Sequence, residues 1–287
     1  MKILISLLLL IPFVATAQQK TTGINQLSIP PFVRQGDQPS LSYQLFNTSK
    51  KDWTGTIHLQ LIDTLQKNPV DGWFFNQQGN QYFTVEPTKK EWIEFPIQIP
   101  FEYNKPTAWQ LYVKTGVDTI LRTGFLRIEP WEYAEETAIP ETSPESPILK
   151  KKISRQYSKN AQTRLELLAQ NDRVLTGDTL LVEIELTGSK SNKIILNEQW
   201  PAGTQPNMVR SLSTLTGGGR VILLTDKELK FEWVNTNQSP MRISYQLLAT
   251  YSGLFQIPPA TVSSPDLPQQ KIRSSYSSLI IEQRKLP

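Results

Sequence analysis

The sequence predicts an all-β chain: two antiparallel β-sandwich domains joined by a Pro/Glu-rich linker. Three observations carry this expectation. A turn device occurs twice, as Val33-Arg34-Gln35-Gly36-Asp37 and, about 140 residues later, as Val174-Leu175-Thr176-Gly177-Asp178. In each copy the glycine can take the positive φ of a tight turn, and the aspartate can bond the backbone that follows it. Strand-like alternation comes next both times. Leu41, Tyr43 and Leu45 alternate with Ser42 and Gln44, and Leu180, Val182, Ile184 and Leu186 alternate with Leu181, Glu183 and Glu185, the period of half-buried strands. Helix periodicity is nearly absent, and turn chemistry separates the alternating runs.

Along the chain, Lys2, the apolar run Ile3 to Val14 and Ala15-Thr16-Ala17 before Gln18 read as a signal peptide over residues 1 to 17. Export is therefore expected, to the periplasm, the cell surface or the extracellular space. No later stretch reaches the roughly 20 apolar residues of a membrane helix, so no stable membrane insertion is expected. The first sandwich is placed at residues 24 to 130. Its strands are read at Ser40 to Phe46, Gly55 to Asp63, Gln81 to Val85, Glu91 to Ile99, Trp109 to Thr115 and Thr119 to Ile128. Between them lie Asn47-Thr48-Ser49, Glu86-Pro87-Thr88, Asn104-Lys105-Pro106 and Thr115-Gly116-Val117-Asp118, all turn-forming.

A linker follows at residues 131 to 149, where Glu132, Glu135, Glu136, Glu141 and Glu145 sit among Pro140, Pro144 and Pro147. Low hydrophobicity and like charges predict an extended, solvated segment. The basic run Lys150 to Lys159 is read as a solvated flank, or as a first strand from Leu149 to Tyr157 with its lysines outward. The second sandwich is placed at residues 150 to 287. Its strands are read at Ser154 to Tyr157, Thr179 to Leu186, Ile194 to Gln199, Arg220 to Thr225, Glu228 to Val234, Met241 to Ala249, Gly253 to Ile257 and Ser275 to Gln283. Gln162 to Asn171 fits a helical turn or a strand equally. Gly217-Gly218-Gly219 lacks the lysine and hydroxyl of a phosphate loop and reads as a hairpin connection.

Composition narrows the function classes. Hydrophobic residues make up 38% of the 287, enough for two separate cores. No cysteine is present, which rules out disulfides and a lipid-anchored cysteine. Thirty Lys and Arg against 26 Asp and Glu give +4, far from the basic face of a nucleic-acid binder.

Longer words then suggest a family. Pro31-Phe32-Val33-Arg34-Gln35-Gly36-Asp37, Val70-Asp71-Gly72-Trp73-Phe74-Phe75-Asn76-Gln77, Asn80 to Val85 and Phe95 to Pro100 resemble the macroglobulin sandwich that precedes the thioester domain in bacterial α2-macroglobulins. Thr176-Gly177-Asp178, Trp200-Pro201-Ala202-Gly203 and Tyr245 to Ala260 resemble the C-terminal macroglobulin domain of such proteins. The resemblance implies macroglobulin-like sandwiches of fibronectin or immunoglobulin type. It also implies a secreted, non-enzymatic protein that acts by protein–protein contacts, in protease inhibition or envelope defence. Proteases, or a separately encoded thioester-containing macroglobulin, are the partners it suggests. The helical thioester domain and bait segment of full-length members have no counterpart here, and a thioester needs a cysteine sulfur. A second expectation, from another class, is a surface-exposed module that binds glycan or peptide through its loops.

Individual side chains offer little chemistry. His58 alternates with inward Ile57 and Leu59 and should face solvent; metal sites and activated nucleophiles need clustered partners that it lacks. Glu183 and Glu185 share a strand face, as exposed residues of a solvated strand do. No catalytic, metal or cofactor residue is assigned. Trp73-Phe74-Phe75 breaks the alternation, so at least one ring should face out or cover a sandwich end, which makes it the candidate interaction patch. Trp92 and Trp109 are expected in the core, and Trp200 and Trp233 are read as packing residues.

Overall fold

The computed structural model describes residues 24–132 except 117, and residues 147–284 except 160–161, 190, 192, 208–213, 217–218, 235–239, 266 and 276. The signal-peptide reading and most of the linker thus lie outside the described residues. Within them there is no helix. In the first sandwich, strands Ile24–Ser28, Gln38–Phe46 and Lys90–Pro96 form one sheet. Trp53–Asp63, Thr107–Thr115 and Asp118–Leu126 form the facing one, with Asn80–Val85 and the short Asn68–Pro69 also paired to Trp53–Asp63. The alternation in the sequence decides which faces meet. Leu41, Tyr43 and Leu45 are buried against Ile57, Leu59, Leu61, Leu111 and Val113 in a single apolar cluster.

The second sandwich repeats the plan. One sheet runs Gln162–Leu167, Ile148–Lys159, Thr179–Thr187, Met241–Ala249 and Thr204–Pro206, with Thr214–Thr216 also on Met241–Ala249. The other runs Gly219–Leu224, Glu228–Val234, Lys193–Gln199, Thr261–Ser264 and Leu267–Arg273. Gln162–Leu167 is a strand, which settles the one ambiguous stretch. Strands Thr214–Thr216 and Gly219–Leu224 lie in different sheets; the Gly217-Gly218-Gly219 connection read from the sequence falls mostly outside the described residues.

Two further expectations need correction. Trp92 lies on the outer face of Lys90–Pro96 and is 37% exposed, because Ile93 and Phe95 take the inward positions. The lysines of Ile148–Lys159 do not all face out: Lys151 falls between inward Leu149 and Ile153, and its side chain is 4% exposed.

The duplicated turn is a duplicated structure. Gly36 and Gly177 have φ of +87° and +91°. In the first copy Asp37 Oδ2 accepts the Arg34 N–H at 2.7 Å, and in the second Asp178 Oδ2 accepts the Leu175 N–H at 3.0 Å. Gly36 N–H donates to the Ile99 carbonyl and Ile99 N–H to that of Asp37; Gly177, Ala249 and Asp178 repeat both bonds. Each device ties the start of its sandwich to a neighbouring segment.

The copies differ where Arg34 replaces the aliphatic Leu175, and there the two sandwiches join. The Arg34 guanidinium, in a residue 2% exposed, donates to the Trp200 carbonyl at 2.6 Å and to Gln199 Oε1 at 3.2 Å, and lies 4.8 Å from the Phe32 ring. Phe32 itself is fully buried in the second sandwich's core cluster. Asp37 Oδ1 accepts the Gln256 N–H at 2.7 Å. Gln38–Phe46 continues into Gly253–Ile257 through the pairs Pro39↔Gly253 and Gln38↔Leu254, so one sheet crosses the seam. Gly253, at φ +140°, is required there, because a Cβ would stand 2.6 Å from the Gln38 carbonyl oxygen. At the rim Lys227 pairs with Glu129 at 2.7 Å and Arg127 with Asp226 at 2.9 Å. The cores are separate clusters, yet the sandwiches are docked, which the reading of an extended, solvated linker did not foresee.

Four outcomes follow. Phe32→Ala should cost about 3–5 kcal/mol, the usual penalty for emptying a large buried ring site, and Arg34→Ala about 3–5 kcal/mol by unpairing buried groups; urea unfolding measures both. A protease site engineered into residues 140–145 should, once cut, leave two pieces that still co-elute on gel filtration. Burial pushes the Asp37 carboxyl up to about 7 from its ordinary 3.8, against the N–H donors of Gln256 and Arg34 and the Arg34 charge. Between those values the folded chain holds a proton that the unfolded chain has lost, so this group makes stability fall as pH rises. Melting temperatures between pH 5 and 7.5 should decline more steeply for the parent chain than for Asp37→Asn.

Candidate functional site

The Trp73-Phe74-Phe75 segment lies in a turn, not a strand, and its backbone is pinned from both sides. Asp71 Oδ1 accepts the Leu61 N–H at 3.0 Å and the Asn76 amide at 2.7 Å, while the Asn76 amide also reaches the Leu59 carbonyl at 2.9 Å. Trp73 N–H donates to the Val70 carbonyl, Asn76 N–H to that of Asp71, and Gln98 N–H to that of Phe74. Phe74 is the anchor: it is fully buried, with its ring edge-on to Tyr103 at 4.8 Å. Trp73 and Phe75 are each 58% exposed. Trp73 touches the Tyr103 ring at 6.1 Å, and Phe75 adopts φ +51°, a left-handed conformation that is an outlier for a bulky residue and marks a constrained turn.

This loop sits beside the seam. The Tyr103 carbonyl accepts the Gln35 side-chain amide at 3.0 Å, inside the first copy of the turn device. Phe101, 57% exposed, packs over Gly36 so closely that a Cβ there would lie 2.4 Å from its ring. Two exposed rings are thus fixed on one constrained turn. They contribute apolar contact area and the Trp73 indole N–H, and no acid, base or nucleophile.

The remaining sequence candidates do not converge on this loop. His58 lies on the outer face of Trp53–Asp63, half-buried beside the Tyr112 ring. Glu183 and Glu185 face outward, and Glu185 pairs with Arg242 at 2.6 Å. Trp200 and Trp233 are buried, and Trp200 Nε1 donates to the Asp226 carbonyl at 2.9 Å. Among the described residues no group of three or more His, Cys, Asp and Glu stands close enough to hold a metal, and no helix is long and apolar enough to cross a membrane.

The titratable cluster that sequence reasoning missed lies in the second core. Glu198 is fully buried, its Oε1 2.6 Å from Lys151 Nζ and 2.5 Å from the Tyr245 hydroxyl, and Lys151 also donates to the Pro258 carbonyl at 2.8 Å. Burial pushes the Glu198 carboxyl up, against the opposing pull of Lys151 and Tyr245; Tyr245 is raised well above its ordinary value by burial and by the Glu198 charge. Almost closed to solvent, the group is a structural cross-link between strands Ile148–Lys159, Lys193–Gln199 and Met241–Ala249. The signal was present in the sequence: Lys151 and Glu198 both occupy inward positions of alternating runs.

Residues 151–265 match the family described as the bacterial α2-macroglobulin MG10 domain. No curated protein is significantly similar to the chain. Among solved structures, native α2-macroglobulin from Escherichia coli, from domain MG7 to the C-terminus, aligns at 13% identity and TM-score 0.35 over 80% of this chain and 33% of that one. Red sea bream transglutaminase aligns at 7% identity and TM-score 0.27, over 91% and 31%. Dimeric latent PorU from Porphyromonas gingivalis aligns at 12% identity and TM-score 0.25, over 92% and 33%. The chain thus spans about a third of each. Residues 151–265, which form most of the second sandwich, are thus similar to the MG10 domain of bacterial α2-macroglobulins.

Proposed function

We propose that this is an exported, non-enzymatic macroglobulin-like protein that works through reversible protein contacts in protease inhibition or envelope defence. Its partner would be an endopeptidase or a separately encoded macroglobulin that carries a thioester. The observation that carries this reading is the MG10 match together with a docked pair of sandwiches that displays Trp73 and Phe75 on a pinned loop. The sequence holds no cysteine, so it lacks the residue for covalent capture through a thioester, and binding must be reversible. Rigid display favours such binding, because little side-chain and loop freedom is left to lose on association.

A panel of endopeptidases incubated with the purified chain tests the proposal. Activity on a large protein substrate should fall, a complex should elute on gel filtration, and Trp73→Ala should weaken the complex by roughly tenfold, the usual loss for a central aromatic contact. Unchanged activity with no complex, together with failure to bind a thioester-bearing macroglobulin, would sink the reading.

The strained backbone under the exposed Phe75 ring favours one alternative, a surface module that binds peptide or glycan through this loop. Pull-down on envelope material distinguishes the two: recovery of a small peptide or sugar, lost in Trp73→Ala, supports the alternative, and recovery of an intact protease supports the first.

A further inference from the structure

The outer face of the first sandwich's larger sheet is chemically unlike the rest of the surface. The positions pointing away from the core on Trp53–Asp63, Asn80–Val85, Thr107–Thr115 and Asp118–Leu126 carry one charged side chain, Lys114. The corresponding face of the second sandwich is studded with ions, where Lys150, Glu185 and Arg242 stand in one cross-strand row. A solvated face of mixed charge is the ordinary condition, so the neutral face needs a reason.

Exposed aromatic rings are spaced along it. Tyr82 is 88% exposed and Phe125 79%, and the half-buried Tyr112 lies between them. Tyr82 pairs with Thr56, Tyr112 with His58 and Phe125 with Ala108, itself opposite Ile62. Strand spacing and rise then set the rings about 12 Å and about 14 Å apart along a diagonal of the sheet. Threonines, Asn80, Gln60 and Gln110 fill the intervals. At the Tyr82 end a shallow cleft of about 490 Å³ is lined by Tyr82, Thr54, Thr56, Thr84, Lys114 and backbone of Gly55 and Gly116. That size is within the range of small-ligand sites. Neither the three threonine hydroxyls nor the Lys114 ammonium has a partner among the described residues.

Protein-binding faces gather their aromatic side chains into one contiguous dry centre. Here the three rings stand apart: hydroxyls and amides surround Tyr82, while Tyr112 lies between His58 and the exposed Leu121, and Phe125 lies opposite Ala108. Such a surface suits an extended chain of sugar rings, whose C–H faces stack on aromatics and whose hydroxyls exchange hydrogen bonds with Thr, Asn and Gln. The lone cation adds a seat for an acid group. We propose that this face binds an acidic polysaccharide, with Tyr82, Tyr112 and Phe125 as stacking platforms and Lys114 pairing with a sugar carboxylate in the cleft. The site is distinct from the Trp73 loop, so it stands or falls separately from the protein-contact reading.

Calorimetric titration of the purified full chain with hexamers of galacturonate and of hyaluronan, and with uncharged cellohexaose, provides the test. At least one acidic hexamer should bind more tightly than cellohexaose. Tyr82→Ala and Phe125→Ala should each weaken binding tenfold or more with an unchanged melting temperature, Lys114→Ala should erase the preference for the acidic hexamer, and Trp73→Ala should leave binding intact. Absence of binding by both acidic hexamers, binding that survives Tyr82→Ala, or capture of a protein on this face that Tyr82→Ala abolishes would each overturn the proposal.

Discussion

A buried arginine decides the architecture. The guanidinium of Arg34 lies in a region almost closed to water, where an unpaired charge is strongly unfavourable, and it is tolerated because each of its neighbours answers it. The Trp200 carbonyl and Gln199 accept its protons, the Phe32 ring lies beside it, and its charge also acts on the Asp37 and Glu198 carboxyls. Those partners come from both sandwiches. The ion therefore has its full set of contacts only when the two domains are docked, which makes the seam specific in a way that apolar contact alone would not be. Arg34 sits at one of two equivalent positions in a duplicated device, and the other holds Leu175. The copies differ at Arg34/Leu175 and Gln35/Thr176, and the first of these differences separates a local turn from a domain clamp.

Docking changes what the surface can do. Domain contacts within a chain are commonly polar and mobile. This one has an aromatic side chain sunk in the neighbouring core and a sheet that crosses from one sandwich to the other. The Trp73 loop leans on Tyr103, which leans on Gln35 and so on the seam. Its rings are consequently held in one orientation relative to both sandwiches rather than carried on a freely swinging module.

Much of the fold was legible because burial imposes a period of two. Glu228 to Val234 and Met241 to Ala249 were read to the residue, and most longer strands to within one or two. Short pieces such as Val33–Arg34, Arg173–Leu175 and Thr204–Pro206 went unread, since two or three residues cannot display a period. The seam was invisible for a different reason: Arg34 and Trp200 are far apart in the chain, and nothing local distinguishes an arginine at a domain interface from one in a solvated turn. Trp92 was placed in the core on its apolar character, although its register beside Ile93 and Phe95 already put it outside. Lys151 shows the converse error, in which charge was allowed to outvote register, and its partner Glu198 was not singled out at all. For the aromatic loop, the break in alternation was the right signal, but which ring would turn inward was fixed only by Tyr103 and the Asp71–Asn76 bonds.

The same physics bears on how a chain of the proposed kind would act through contacts alone. Covalent capture makes dissociation irrelevant, whereas a binder that relies on contacts alone must draw its residence time from the contacts themselves. Two routes raise that time at fixed contact area: fewer degrees of freedom lost on association, and several contacts made at once from one rigid body. The pinned loop provides the first. The second depends on docking, because surfaces on two tethered but independent sandwiches would each have to find their partner separately, while surfaces held by the Arg34 seam engage in a fixed relation. On the proposed reading, in which contacts replace bond formation, the unfavourable burial of a charge between the domains is intelligible.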